Sequence, residues 1–199
     1  MSTDLPRVYV VRHGETEWAL SGQHTGTTDI PLTANGEEVA RRLGERLRGT
    51  VFARVFTSPL RRSRRTCELA GFGAVAEDEP DLREWDYGEY EGRRTADIRA
   101  QRPGWFLFRD GCPGGESVGQ VGERADRVVE RLRRLAGNVL VFTHGHMGRV
   151  LAARWLGLPP GDGRLFRFGT AAVGILGFEH NSPDEPVLEL WNAPDPARP

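Results

Sequence analysis

Three short tracts carry side chains able to do chemistry on an anion: Arg12-His13-Gly14-Glu15-Thr16, Ser58-Pro59-Leu60-Arg61-Arg62 and Thr143-His144-Gly145-His146. An arginine offers a planar fork that matches phosphate oxygens. A histidine beside it can act as nucleophile or base near neutral pH. Gly14 permits a sharp turn and lets a ligand approach the backbone closely. A lone histidine at a strand end is more often tied to a carbonyl in the core. Here an adjacent arginine, a following glycine and a second histidine-glycine pair favour a site instead.

These tracts sit where elements end. Arg7–Arg12 is a β-branched apolar run and reads as a buried strand. Arg54–Thr57 is a short strand leading into Ser58, and Val139–Phe142 is a buried strand leading into Thr143 and His144. Helices are expected over Thr33–Arg48, with Thr33 as cap, and over Leu60–Ala70, Ser117–Ala136 and Gly148–Leu156. In the long helix Val121, Val128, Leu132 and Leu135 should face inward. Ala171–Phe178 and Pro186–Trp191 suggest a closing hairpin. Strands alternating with helices imply an α/β protein, a three-layer α/β/α sandwich with a mostly parallel central sheet. Ligands bind beyond the carboxyl ends of such strands, so the three tracts should converge at one sheet edge.

Composition narrows the function. The 199 residues are 38% hydrophobic and 28% charged, which suits a single globular domain over 1–199 and argues against a disordered chain. No apolar run approaches the roughly 18 residues of a membrane span, and the first one, Val8–Val11, is too short for a signal-peptide core. Cys67 and Cys112 form no C-x-x-C pair, so a reduced cytoplasmic setting is expected. All 27 basic residues are arginine, against 28 acids, for a net charge of -1. That balance gives no global field for nucleic acid or a membrane surface, so anion recognition must be local. The proline-rich tail from Ala193 is expected to fray.

The tracts, with others between them, make the chain resemble the histidine phosphatase superfamily, also called phosphoglycerate mutase-like. The others are Thr25-Gly26, Asp29-Ile30-Pro31-Leu32-Thr33, Gly36, the run Glu84–Gly92 (E-W-D-Y-G-E-Y-E-G) and Gly115-Glu116-Ser117. Within it the chain is most similar to actinobacterial acid phosphatases and the sedoheptulose bisphosphatase-like branch. The resemblance implies that His13 takes the phosphoryl group as a phosphohistidine and that Arg12, Arg62 and His144 hold the phosphoryl oxygens. It implies that Glu84 protonates the leaving oxygen, with Asp86 as rival. Thr25, Gly26, Ser21, His24, Tyr87, Gly145 and His146 are expected to contact substrate. Trp85, Trp105 and Phe106 either wall the pocket or pack the core. Arg61, Arg64 and Arg65 are expected on a solvated helix face, and His180 in a turn.

The implied activity is metal-independent hydrolysis of a small phosphorylated metabolite, with no cofactor and with phosphate or a similar oxyanion able to occupy the site. Two positions depart from the family pattern: Ala19 where an asparagine is common, and Gln23 where an arginine is common. A mutase must exclude water from its phosphorylated intermediate, and family mutases carry a longer basic segment after the glutamate motif. Here that stretch runs only from Arg93 to Glu116, which favours a phosphatase over a phosphoglycerate mutase. Two other classes share parts of the pattern. A metal held by His144-x-His146 is opposed by the neighbouring arginines. A non-catalytic phospholigand-binding module would need neither His13 nor Glu84. The exposed edges of the hairpin leave room for a homodimer.

Overall fold

The computed structural model describes residues 5–194. A six-stranded sheet runs in the order β3-β2-β4-β1-β5-β6, with β1 at Arg7–Arg12, β2 at Arg54–Thr57, β3 at Ala76–Asp78, β4 at Asn138–Thr143, β5 at Val173–Phe178 and β6 at Pro186–Ala193. The first four strands are parallel, and β5 runs antiparallel between β1 and β6. The expected hairpin therefore closes one edge. In β1 the side chains alternate between two cores, as a pleated strand requires. Val8 and Val10 enter one core and Val11 the other.

Helices cover both faces and give three layers. On one side α2 (Ala34–Leu47) and α3 (Arg61–Leu69) supply Leu43, Leu47 and Cys67. On the other, α6 (Val118–Arg133) and α7 (Gly145–Trp155) supply Val121, Val128, Leu132, Leu151 and Trp155. Leu135 falls just past the end of α6 yet still packs against this core. Both long helices are capped from their own sequence. The Thr33 side chain accepts from Gly36 N, and Ser117 and Gln120 form a reciprocal capping box. Cys67 and Cys112 lie in different cores as free thiols.

Short elements that the periodicity did not reveal complete the chain: α1 (Glu17–Ser21), strand β3 on the sheet edge, α4 (Thr95–Gln101) and α5 (Leu107–Asp110). Their apolar positions are too few to show a period. No helix among the described residues is long and apolar enough to cross a membrane. Ala193, where the tail is expected to start fraying, instead ends β6 paired with Val173; residues 195–199 lie outside the described residues.

Candidate active site

Strand β4 lies between β2 and β1, and its register aligns Phe142 with Thr57 and Thr143 with Arg12. The loops leaving the three strands therefore start side by side. They bring His13, Ser58 and His144 together: the His13 and His144 rings are 5.1 Å apart, and His144 Nε2 lies 2.7 Å from Ser58 Oγ. The turn after β1 is possible because Gly14 and Gly36 meet backbone to backbone. A Cβ on Gly14 would lie 2.6 Å from the Gly36 carbonyl oxygen, and one on Gly36 2.2 Å from that of Glu15.

Each functional side chain is held by a specific contact. His13 Nδ1–H donates to the Gly14 carbonyl at 2.7 Å, which leaves Nε2 of the neutral ring with its lone pair. Arg62 is fully buried; its Nη atoms donate to the carbonyls of Thr25, Gly26 and Thr28, clamping that loop. Arg12 Nη1 donates to the Phe168 carbonyl, and its guanidinium lies flat against Gly145, where a Cβ would come within 3.2 Å of Cζ. Four buried side-chain polar atoms among the described residues have no partner: Arg133 Nε, away from the cleft, and Arg12 Nε, Arg62 Nε and His144 Nδ1 at it. Buried donors rarely go unpaired. The two guanidinium nitrogens at the cleft are donors lacking an acceptor, and a phosphoryl group supplies one; the His144 ring stands 5.1 Å from that of His13.

Glu84 faces the same space from another direction. Its carboxylate accepts from Trp85 N at 3.0 Å, Met147 N at 2.8 Å and His146 N at 3.0 Å. The last two are first-turn amides of α7, a helix with no side-chain cap at its own N-cap residue, His144. Helix starts leave such amides unpaired, and a carboxylate there is favourable. The periodicity predicts this helix from Gly148, three residues later than it begins. The early glycines weaken the sequence signal, while the missing cap comes from Glu84, 60 positions upstream of His144.

A cleft of about 240 Å³ opens onto these groups. Arg12, His13, His24, Thr25, Glu84, Tyr87, Gly145 and His146 line it, with Arg62 and His144 packed behind. Two expected substrate contacts do not line it. Ser21 is exposed, its Oγ engaged with Gln23 Oε1 at 2.6 Å. Gly26 spends its N–H on Glu91, and a Cβ there would strike the Trp85 carbonyl at 2.5 Å, so the need for glycine is a packing need. Of the aromatic candidates only Tyr87 reaches the cleft; Trp85 and Trp105 are buried in the core with their Nε1–H groups bonded to the carbonyls of Glu116 and Gly111.

Other rivals are accounted for. Asp86 accepts from Gly88 N and lines a separate cavity. Arg64 and Arg65 pair with Asp78, Glu37 and Glu68 on the solvated side of α3. His180 is exposed and paired with Glu185. His144 and His146 are committed to different partners, Ser58 and Tyr87, the latter at 2.6 Å between Nδ1 and the hydroxyl. Sequence reasoning missed Thr16, Thr95, Arg149 and Phe168, which also line the cleft. Arg149 was legible in principle: three residues after His146, it shares that residue's helix face. Thr95 and Phe168 come from distant segments and carry no signal. Ala19 and Gln23, the two departures, both line the wall.

Burial sets the protonation states. Desolvation, then the charges of Arg62 and Arg12, hold His13 well below the ordinary histidine pKa. The same causes act on His144. Burial and Arg149 lower His146, and burial lowers His24 to about 4. The empty cleft is therefore an array of neutral imidazoles among fixed arginine charges.

The family model described as "Histidine phosphatase superfamily (branch 1)" matches residues 8–194. The chain is 42% identical over 194 residues to an acid phosphatase of Mycobacterium tuberculosis, covering 96% of this chain and 95% of that protein. It is 34% identical to a sedoheptulose 1,7-bisphosphatase of Saccharomyces cerevisiae, covering 93% and 92%. A solved structure of a Mycobacterium tuberculosis open reading frame superposes with a TM-score of 0.88 at 40% identity, over 95% of this chain and 98% of that one. Strand-end histidines, buried unpaired guanidinium nitrogens and a match over nearly the whole chain lead to one conclusion: this protein belongs to the histidine phosphatase superfamily.

Proposed function

We propose that this protein hydrolyses small phosphomonoesters, phosphorylated sugars or related metabolites, through a phosphohistidine on His13. The observation that carries the reading is the pairing of a nucleophile with empty oxyanion donors. His13 Nε2 keeps its lone pair, and Arg12 Nε, Arg62 Nε and His144 Nδ1 are left partnerless in side chains that interact with His13. Nε2 attacks phosphorus and the P–O ester bond breaks. Fixed donors meet the charge spread over the equatorial oxygens without reorganising. Glu84, in the wall of the same cleft, gives its proton to the leaving oxygen. It then takes one from the water that cleaves the P–N bond, releasing phosphate and restoring His13.

Hydrolysis rather than mutase chemistry is supported by the cleft wall. Of the stretch from Arg93 to Glu116, only Thr95 lines it, so that segment offers little to shut water out of a phosphorylated intermediate. The test is rapid-quench mass spectrometry with a small phosphomonoester. A phosphoryl adduct on His13 is expected, with turnover abolished in His13→Ala. An adduct elsewhere, or activity surviving in His13→Ala, overturns the reading. Efficient interconversion of phosphoglycerates with little phosphate release would favour the mutase.

A further inference from the structure

The acid proposed above sits on backbone that no helix or strand holds. Residues 83–87 lie between the 3₁₀ turns Pro80–Leu82 and Gly88–Tyr90 and belong to neither. Such a segment keeps one position only if its polar groups find partners elsewhere. Here they meet an ion pair between Arg124, buried on α6, and Glu116 in the loop before that helix. The two side chains join fork to fork, Arg124 Nε to Glu116 Oε1 and Nη2 to Oε2, both at 2.7 Å.

Each partner then reaches the backbone around Glu84. Arg124 Nη1 donates to the carbonyls of Asp81 and Arg83 at 2.7 and 2.9 Å, and Nη2 to that of Glu84 itself at 3.3 Å. Glu116 Oε2 accepts from Asp86 N at 2.9 Å. The main chain of Glu116 donates to the Asp86 carbonyl and accepts from Trp85 Nε1–H. Arg124 Nη1 also lies 3.8 Å from the sulfur of Met147, whose amide is one of the donors to the Glu84 carboxylate.

A buried ion pair is a poor device for stability alone, since a well-packed apolar pair of similar volume often does as well. An apolar pair could not hold these carbonyls and this amide. The bonds fall on residues 81, 83, 84, 85 and 86, on both sides of the acid. Neither Arg124 nor Glu116 lines the cleft. A general acid works only within hydrogen-bond reach of the leaving oxygen, and a misplacement of about 1 Å costs on the order of 10²-fold. We propose that Arg124 and Glu116 are positioning residues for Glu84: the pair fixes the backbone that carries the carboxyl and takes no part in binding the phosphoryl group. This rests on the assignment of Glu84 as the proton donor.

A pair that acts through Glu84 should matter only to leaving groups that need a proton. The experiment measures kcat/KM on ethyl phosphate and on 4-nitrophenyl phosphate, with vanadate inhibition, in wild type, Arg124→Lys, Glu116→Gln, Glu84→Gln and the double variant Glu84→Gln/Arg124→Lys. Lysine keeps the charge but lacks the fork that reaches Glu116 and the carbonyls together. Arg124→Lys and Glu116→Gln should each lose on the order of 10²-fold on ethyl phosphate and at least about tenfold less on the aryl ester. Their vanadate inhibition constants should stay within about twofold of wild type, the scatter of independent sites. The double variant should lose no more on ethyl phosphate than Glu84→Gln alone, within about twofold, because residues that act as a unit are not additive. Equal losses on both esters with weaker vanadate inhibition would show a merely structural role and overturn the proposal, as would additive losses in the double variant. Should Arg124→Lys fail to fold, Glu116→Gln and its double variant with Glu84→Gln carry the same comparison. If Glu84→Gln itself loses equally on both esters, the acid assignment falls; if it loses selectively and the pair's variants do not, only the positioning proposal falls.

Discussion

Glu84 is the side chain whose role depends most on its leaving group. Three main-chain amides orient its carboxyl into the cleft, so its position does not depend on substrate. An alkoxide leaves badly without a proton, whereas an aryl oxide leaves well. Removing a positioned acid costs roughly 10²–10⁴-fold for the poor leaving group. Glu84→Gln should therefore lower kcat on an alkyl phosphate by about that factor and on an aryl phosphate by at least about tenfold less. Equal losses on both esters would remove Glu84 as the acid. The histidines give a second prediction at this scale. His24, whose pKa is lowered to about 4 by burial, takes up a proton in the unfolded chain near pH 6.5 but in the folded chain only near pH 4. Between those values the unfolded state binds more protons, so stability falls as pH falls through that window. The loss from this one group reaches roughly 3 kcal/mol at pH 4, and His13, His144 and His146 act in the same direction. Urea denaturation from pH 7 to pH 4 should show the decline, and His24→Gln should flatten it. The same depression keeps His13 unprotonated in mild acid, so a pH–rate profile should show activity persisting below neutrality rather than falling off near about pH 6.5.

Elements place the site through close backbone approach. The tract after β1 folds back onto the first turn of α2 only because Gly14 and Gly36 lack side chains. Thr33 N donates to the Glu15 carbonyl, and the Thr33 hydroxyl to Glu15 Oε1. A methyl at Gly36 would sit 2.2 Å from a carbonyl oxygen, so the helix must move away from the nucleophile loop. Gly36→Ala is expected to lose about 1–3 kcal/mol by urea denaturation, with a larger fall in kcat than in stability-matched surface variants. Unchanged stability would mean that the two segments can slide apart freely. The start of α7 is the other such place. Gly145 lets Arg12 lie flat against the helix, while the amides of His146 and Met147 bind Glu84. One helix terminus thus positions both the proposed phosphate-binding cation and the proposed acid.

At the scale of the molecule the site is a region of fixed positive charge in a chain whose net charge is only -1. Any anion that binds the native cleft stabilises the fold by mass action. Inorganic phosphate at 100 times its Kd contributes about 2.7 kcal/mol, a rise in Tm of roughly 5–10 °C for a protein of this size. Thermal unfolding should show this rise in wild type and lose it in Arg12→Gln. Both the rise and the phosphatase activity should survive exhaustive chelation, because arginines supply the positive charge. Loss with chelator and recovery with zinc would support a metal centre instead.

The order and type of the main elements were legible in local pattern, because a strand's alternation and a helix's apolar stripe are written in neighbouring residues. So were the strand-end tracts holding Arg12, His13 and His144, since chemistry restricts which residue types follow a strand end, whereas Arg62 and Glu84 were singled out by the resemblance to the family. Helix α7 beginning at Gly145 was not legible, because its cap is a carboxylate from a distant segment. Nor was the division of labour among pocket residues. Ser21, Gly26 and Trp85 belong to the right motifs yet turn to other partners. Arg149, Thr95 and Phe168 reach the cleft only because the sheet order and the packing of α7 bring their segments there. Local periodicity records which face of an element is buried; which remote groups meet across a cleft is decided by packing, and packing is a property of the whole fold.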